Sequence, residues 1–109
     1  MKNEMLYEVT VTVDASKEEA FLSYMTGRHI PDVLATGCFI EAFFVTDEVG
    51  RYRTTYVADD RSDLNRYFSE FAEGLRDDFV GHFPSGVTVE RQIWRSLILF
   101  RDSGGGPSN

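Results

Sequence analysis

The chain has 109 residues, 42% of them hydrophobic, and a formal charge of −7. That length suits one domain around one core, without disulfide staples, and no apolar run approaches the roughly 20 residues that span a bilayer. The acid excess argues against nucleic acid and anionic membranes as partners, since both bind through clustered Lys and Arg.

Met5 to Val13 alternates: Tyr7, Val9, Val11 and Val13 share one face, and Leu6, Glu8, Thr10 and Thr12 the other. Period 2 with β-branched residues predicts a strand. Asp14-Ala15-Ser16 ends it, and Ser16-Lys17-Glu18-Glu19 has the spacing of a capping box for a first helix. Phe21, Leu22, Tyr24 and Met25 give that helix a stripe to bury.

Pro31 has no N–H and disfavours helix at Ile30, so the first helix is expected to end near Arg28. Asp32-Val33-Leu34-Ala35 then makes one short turn, stopped by Gly37, which tolerates positive φ. His29 falls on the expected bend, which would hold its side chain in a repeatable position. Its pKa near neutrality makes it the candidate acid/base. The plainer reading is a half-buried histidine whose ring nitrogens meet nearby carbonyls.

Cys38 to Thr46 is expected as a second strand and Arg51 to Ala58 as a third, joined as a hairpin by Asp47-Glu48-Val49-Gly50. Asp60-Arg61-Ser62-Asp63 offers caps for a second helix. Leu64, Tyr67, Phe68, Phe71, Ala72, Leu75 and Phe79 recur on it at steps of three and four, predicting a core stripe up to Gly81. Val87 to Phe100 is expected as a long fourth strand. Residues 101–109, rich in Gly and Ser, make an expected disordered tail after a domain of residues 1–100.

The order strand, helix, strand, strand, helix, strand predicts a ferredoxin-like βαββαβ domain of the α+β class. Its four-stranded antiparallel sheet carries both helices on one face, by right-handed crossovers. The other face would draw on Phe39 and Phe43, or Ile40 and Phe44, together with Tyr52, Tyr56 and Trp94. An exposed aromatic patch of that kind marks an interface or a ligand groove. A homodimer of the α+β-barrel type, burying on the order of 2,000 Å², is the simplest way to cover it.

Cys38, the single cysteine, begins an apolar strand and reads as a small buried hydrophobe. His29 and His82 are not at ligand spacing, and one thiol builds no structural zinc site, so no metal is expected. Gly104-Gly105-Gly106 opens no helix and is not a phosphate loop. No cofactor is expected. Met1-Lys2-Asn3-Glu4 lacks the apolar stretch of a signal peptide, so the expected location is the cytoplasm.

Tyr7-Glu8-Val9-Thr10-Val11 and the segment His29-Ile30-Pro31-Asp32-Val33-Leu34-Ala35-Thr36-Gly37-Cys38-Phe39 resemble an uncharacterised bacterial domain family. Its members carry a Tyr-x-Val strand and a His-Ile-Pro-x-Val-Leu-x-Thr-Gly-x-Phe segment. Tyr56, Leu64-Asn65-Arg66-Tyr67, Leu75-Arg76 and Glu90-Arg91 extend the resemblance over roughly residues 5–95. The third strand departs from it, with Arg51-Tyr52-Arg53-Thr54-Thr55-Tyr56 in place of Tyr-Ser-Val-Gln-Tyr. The resemblance implies the plan of the dimeric α+β-barrel proteins, which include small monooxygenases, isomerases and lyases, and it assigns no catalytic residue.

Two functional classes follow. One is a dimeric small-molecule-binding or structural module without catalysis. The other is a cofactor-independent enzyme acting on an apolar or aromatic metabolite, with His29 as acid/base and Tyr52, Tyr56 and Glu90 completing a ligand-binding set. A cavity enclosing His29 with Glu90 or a tyrosine separates the two.

Overall fold

A computed structural model describes residues 3–100; the tail expected at 101–109 lies outside the described residues. The elements are β1 (Met5–Val13), α1 (Glu18–Tyr24), a π-helical turn (Met25–His29), α2 (Ile30–Ala35), β2 (Glu41–Thr46), β3 (Arg51–Ala58), α3 (Arg61–Glu70), α4 (Ala72–His82) and β4 (Val87–Arg95). The strands lie in the order β2-β3-β1-β4, and every neighbouring pair is antiparallel. The fold is the ferredoxin-like α+β plan. No helix among the described residues is long and apolar enough to cross a membrane.

Alternation decides which side chains meet the helices. Tyr7, Val11 and Val13 of β1 and Tyr52, Thr54 and Tyr56 of β3 are buried on the helical side. Thr10 and Glu90 face each other across β1 and β4 on the other side, where Phe43 and Trp94 are each about half exposed. Tyr52 and Tyr56 therefore do not join the open aromatic patch, because the period of 2 assigns them to the face of the buried Thr54 between them.

The helical side holds two packed clusters. Met5, Tyr7, Phe39, Tyr56, Leu64 and Tyr67 belong to one. Val11, Phe21, Tyr24, Met25, Phe79 and Phe83 belong to the other. Val9 and Ile30 touch both.

Several boundaries differ from expectation for local reasons. The helix does not stop before Pro31. Ile30 keeps helical angles (φ −62°, ψ −46°) and its N–H bonds to the Met25 carbonyl, five residues back. In an α-turn the Pro31 ring would collide with the Gly27 carbonyl; the wider turn absorbs the missing donor and the ring together. The capping box does not form, because Ser16 lies inside a 3₁₀ turn (Ala15–Lys17) and neither Asp14 nor Lys17 caps by its side chain. Leu22 is 38% exposed, while Phe21, Tyr24 and Met25 are buried.

The expected second strand starts only at Glu41, and Cys38 and Phe39 are buried in the preceding loop. Asp60 caps α3 by accepting from the Asp63 N–H, but the long second helix is broken at Phe71 (φ −125°, ψ −31°). The break lets α3 pack Leu64 and Tyr67 into one cluster while α4 packs Phe79 into the other. Gly81 lies within α4 rather than ending it. β4 ends at Arg95, and Leu97 to Phe100 are exposed beyond it.

Candidate functional site

The two clusters do not close completely against each other. A cavity of about 30 Å³ remains between the sheet and the helices. Its sheet wall comes from Tyr7, Val9 and Val11 of β1, Thr54 and Tyr56 of β3, and Val89 and Arg91 of β4. Its helical wall comes from Met25 and His29 of the π-turn, Tyr67 of α3, and Arg76 and Phe79 of α4. By volume it admits roughly two water-sized groups, so a larger molecule must leave most of its body at the mouth or displace the walls.

His29 and Tyr56 are brought together here. Tyr52 lies on the same sheet face but outside the cavity, its hydroxyl donating to Glu18 Oε1 at 2.8 Å. Glu90 is exposed on the opposite face, opposite Thr10, so the sheet stands between it and His29. Sequence reasoning missed Thr54, Tyr67, Arg76 and Arg91. Arg91 did leave a signal: it occupies the inward register of Val87 and Val89, where an apolar residue is expected. Cys38 is buried, with Sγ 3.9 Å from the Thr36 carbonyl. Among the described residues no three His, Cys, Asp or Glu side chains are grouped to hold a metal.

Three features set the electrostatics. First, the Tyr56 hydroxyl is buried and has no hydrogen-bond partner; Thr54 is near enough to draw its pKa down but outside bonding geometry, and burial dominates, pushing it far up. Tyr67 is likewise pushed up by burial. Neither phenol ionises near neutral pH, so both act as donors rather than bases.

Second, His29 has a fixed tautomer. The Tyr24 hydroxyl donates its one proton to Asp78 Oδ2 at 2.7 Å, and His29 Nδ1 lies 3.3 Å from the Tyr24 hydroxyl oxygen. Nδ1 must then be the donor, which leaves Nε2 with the lone pair. Burial lowers the His29 pKa, Asp78 and Asp32 pull it up, and Arg91 pushes it down. The lowered pKa keeps the imidazole neutral at pH 7.

Third, Asp78 is anchored from outside. Arg28 grips it with two bonds, Nε to Oδ2 at 2.9 Å and Nη2 to Oδ1 at 2.7 Å. Those bonds, with the one from Tyr24, hold its pKa down to about 2.

The fold and the walled cavity define a small ferredoxin-like α+β protein with a mostly apolar pocket, carrying a few polar side chains, between sheet and helices. The chain belongs to the DUF4286 family, a domain of unknown function, which matches residues 4–96. No curated protein matches its sequence.

Solved structures share its fold at low identity. One is SnoaB, a cofactor-independent oxygenase from Streptomyces nogalater, with a TM-score of 0.68 and 13% identity over 92% of this chain and 99% of that one. A dimeric ferredoxin-like protein from an uncultured marine organism has a TM-score of 0.66 and 13% identity, over 92% of this chain and 100% of that one. The ActVA-Orf6 monooxygenase of Streptomyces coelicolor, in complex with nanaomycin D, has a TM-score of 0.63 and 14% identity over 91% and 94% of the two chains.

Proposed function

We propose that the protein is a homodimeric small-molecule-binding module whose ligand places an oxygen-bearing group against Tyr56 and His29. The observation that carries this reading is the partnerless Tyr56 hydroxyl, 2% exposed, in the wall of the cavity. A buried hydroxyl left unpaired costs about 1–3 kcal/mol. A ligand oxygen accepting from it removes that penalty, so the binding site is built at the expense of the empty fold.

The test uses Tyr56→Phe. The variant is expected to be more stable than the parent when empty, by about 1 kcal/mol in denaturant titration. Compounds that raise the parent's melting temperature in a metabolite screen are expected to lose most of their effect on it. A Tyr56→Phe protein less stable than the parent, with every ligand effect retained, overturns the reading.

The neutral His29 favours a second reading. An imidazole with Nδ1 held and Nε2 unprotonated can take a proton from a bound carbon or oxygen acid. That step suits the cofactor-independent enzyme class, and two proteins of similar fold are an oxygenase and a monooxygenase. His29→Gln should keep the fold and remove any turnover, because Gln replaces one hydrogen bond but moves no proton. Full turnover in a folded His29→Gln protein eliminates the enzyme reading and leaves the module.

A further inference from the structure

We infer that the ligand is an apolar carboxylic acid, bound as its anion between Arg76 and Arg91. The inference rests on the binding-site reading above and adds a charge to the ligand. Both arginines line the cavity, one from α4 and one from β4, and both are close enough to Tyr67 to draw its pKa down against burial.

The charge pattern carries the argument. Arg28, Arg51, Arg53 and Arg66 each have a carboxylate within ion-pair distance. Arg76 and Arg91, like Arg61 and Arg95, have none among the described residues, and of these four only Arg76 and Arg91 line the cavity. The chain has 18 acidic residues against 11 basic ones, yet no Asp or Glu lines this cavity. Two guanidiniums lining one cavity with no carboxylate beside them leave the site positively charged in an otherwise acidic protein. An anionic ligand supplies the missing counter-ion, and the planar fork of a guanidinium matches a carboxylate.

The remaining wall favours an acid whose edge is apolar, the rest of its body lying at the mouth of the roughly 30 Å³ cavity. Val9, Val11, Met25, Phe79 and Val89 are apolar. The Arg76 guanidinium carbon lies 5.7 Å over the Phe68 ring, a cation–π contact that sets its charged head beside an aromatic surface. The acid is therefore hydrocarbon or aromatic apart from its carboxylate and the oxygen that meets Tyr56. A polyanion such as a nucleotide is a poor fit, because two guanidiniums serve one carboxylate and the walls offer no further cation.

The test compares sodium benzoate with benzamide, its neutral counterpart, on the full chain by calorimetry and thermal shift. Benzoate is expected to bind at least tenfold more tightly than benzamide, and more weakly as salt rises. Arg76→Gln and Arg91→Gln should each weaken benzoate about tenfold and leave benzamide unchanged; both side chains are exposed, so folding tolerates the change. Arg91→Lys, which keeps the charge and loses the fork, should fall between. Equal binding of the two compounds, or benzoate binding unmoved by both Gln variants, overturns the carboxylate inference while leaving the Tyr56 site standing. Absence of benzoate binding at 20-fold molar excess and beyond, up to the limit of solubility, also overturns it. The stability change in Tyr56→Phe then judges the site independently.

Discussion

Tyr24 and His29 are five residues apart in one continuous helix, yet His29 Nδ1 lies 3.3 Å from the Tyr24 hydroxyl and their rings stack at 5.6 Å. At about 100° per residue an α-helix turns positions i and i+5 roughly 140° apart, onto different faces. The π-turn over Met25–His29 brings them back into line. Local backbone geometry thus makes the contact that assigns the histidine tautomer.

Pro31→Ala tests what holds that turn. The variant regains an N–H and loses the ring, so the α-turn becomes competitive. Ring-to-ring nuclear Overhauser contacts between Tyr24 and His29 are expected to weaken or vanish while the fold persists. Contacts of unchanged intensity would show that Pro31 is not what widens the turn.

Acid stability should report the Asp78 cluster. Its folded pKa is about 2 against an ordinary 3.8, so the folded state binds fewer protons than the unfolded chain between those values. The stability it supplies is present above 3.8 and is lost as pH falls through about 2. Asp78→Asn should flatten the decline of the urea midpoint in that window. His29 shifts in the same direction, from 6.5 downward, so its contribution is full above 6.5 and declines below it. His29→Gln should remove that upper part of the decline. Identical pH profiles for parent and variants would refute both assignments.

The core has a clear ranking. Phe21 is fully buried and its ring meets Tyr52, Phe79 and Phe83, so Phe21→Ala should cost about 3–5 kcal/mol. Phe71 is only partly buried, at the break between α3 and α4. Phe71→Ala should cost less, on the order of 1–2 kcal/mol. Denaturant titration that reverses the order would mean that the break is not where the backbone places it.

The dimer has its own test. Phe43 and Val45 on edge strand β2, and Trp94 on β4, are each about half exposed on the open face. Light scattering of the parent at micromolar concentration is expected to give twice the chain mass, with on the order of 2,000 Å² buried. Phe43→Glu together with Trp94→Glu should give a folded single chain. A parent that scatters as one chain would end the proposal.

The strand and helix order was readable because apolar residues keep a period of 2 on β1 and β3 and of 3.6 on α3 and α4. The site was readable only in part. His29 and Tyr56 could be named from residue type, but whether they meet depends on the π-turn, and sequence rules treat Pro31 as a stop rather than as something a wider turn absorbs. Glu90 looked like their partner because strand periodicity alone does not say which face the helices cover. Arg91 was hidden for the opposite reason: it breaks the inward apolar pattern, and such a break is easily passed over when the surrounding alternation is strong. Phe71 kept its place in the helical stripe, so nothing in the spacing marked the break there.

Cys38, the chain's one thiol, sits 2% exposed inside the cluster that also holds Tyr56 and Tyr67. A thiol reagent reaches it only when that part of the molecule opens, so the labelling rate is a clock for how often the opening happens. The native chain therefore carries an internal reporter, without any engineered dye, that reads the breathing of one wall of the cavity. A ligand that locks the wall would slow the clock, even one too weak to move a melting curve.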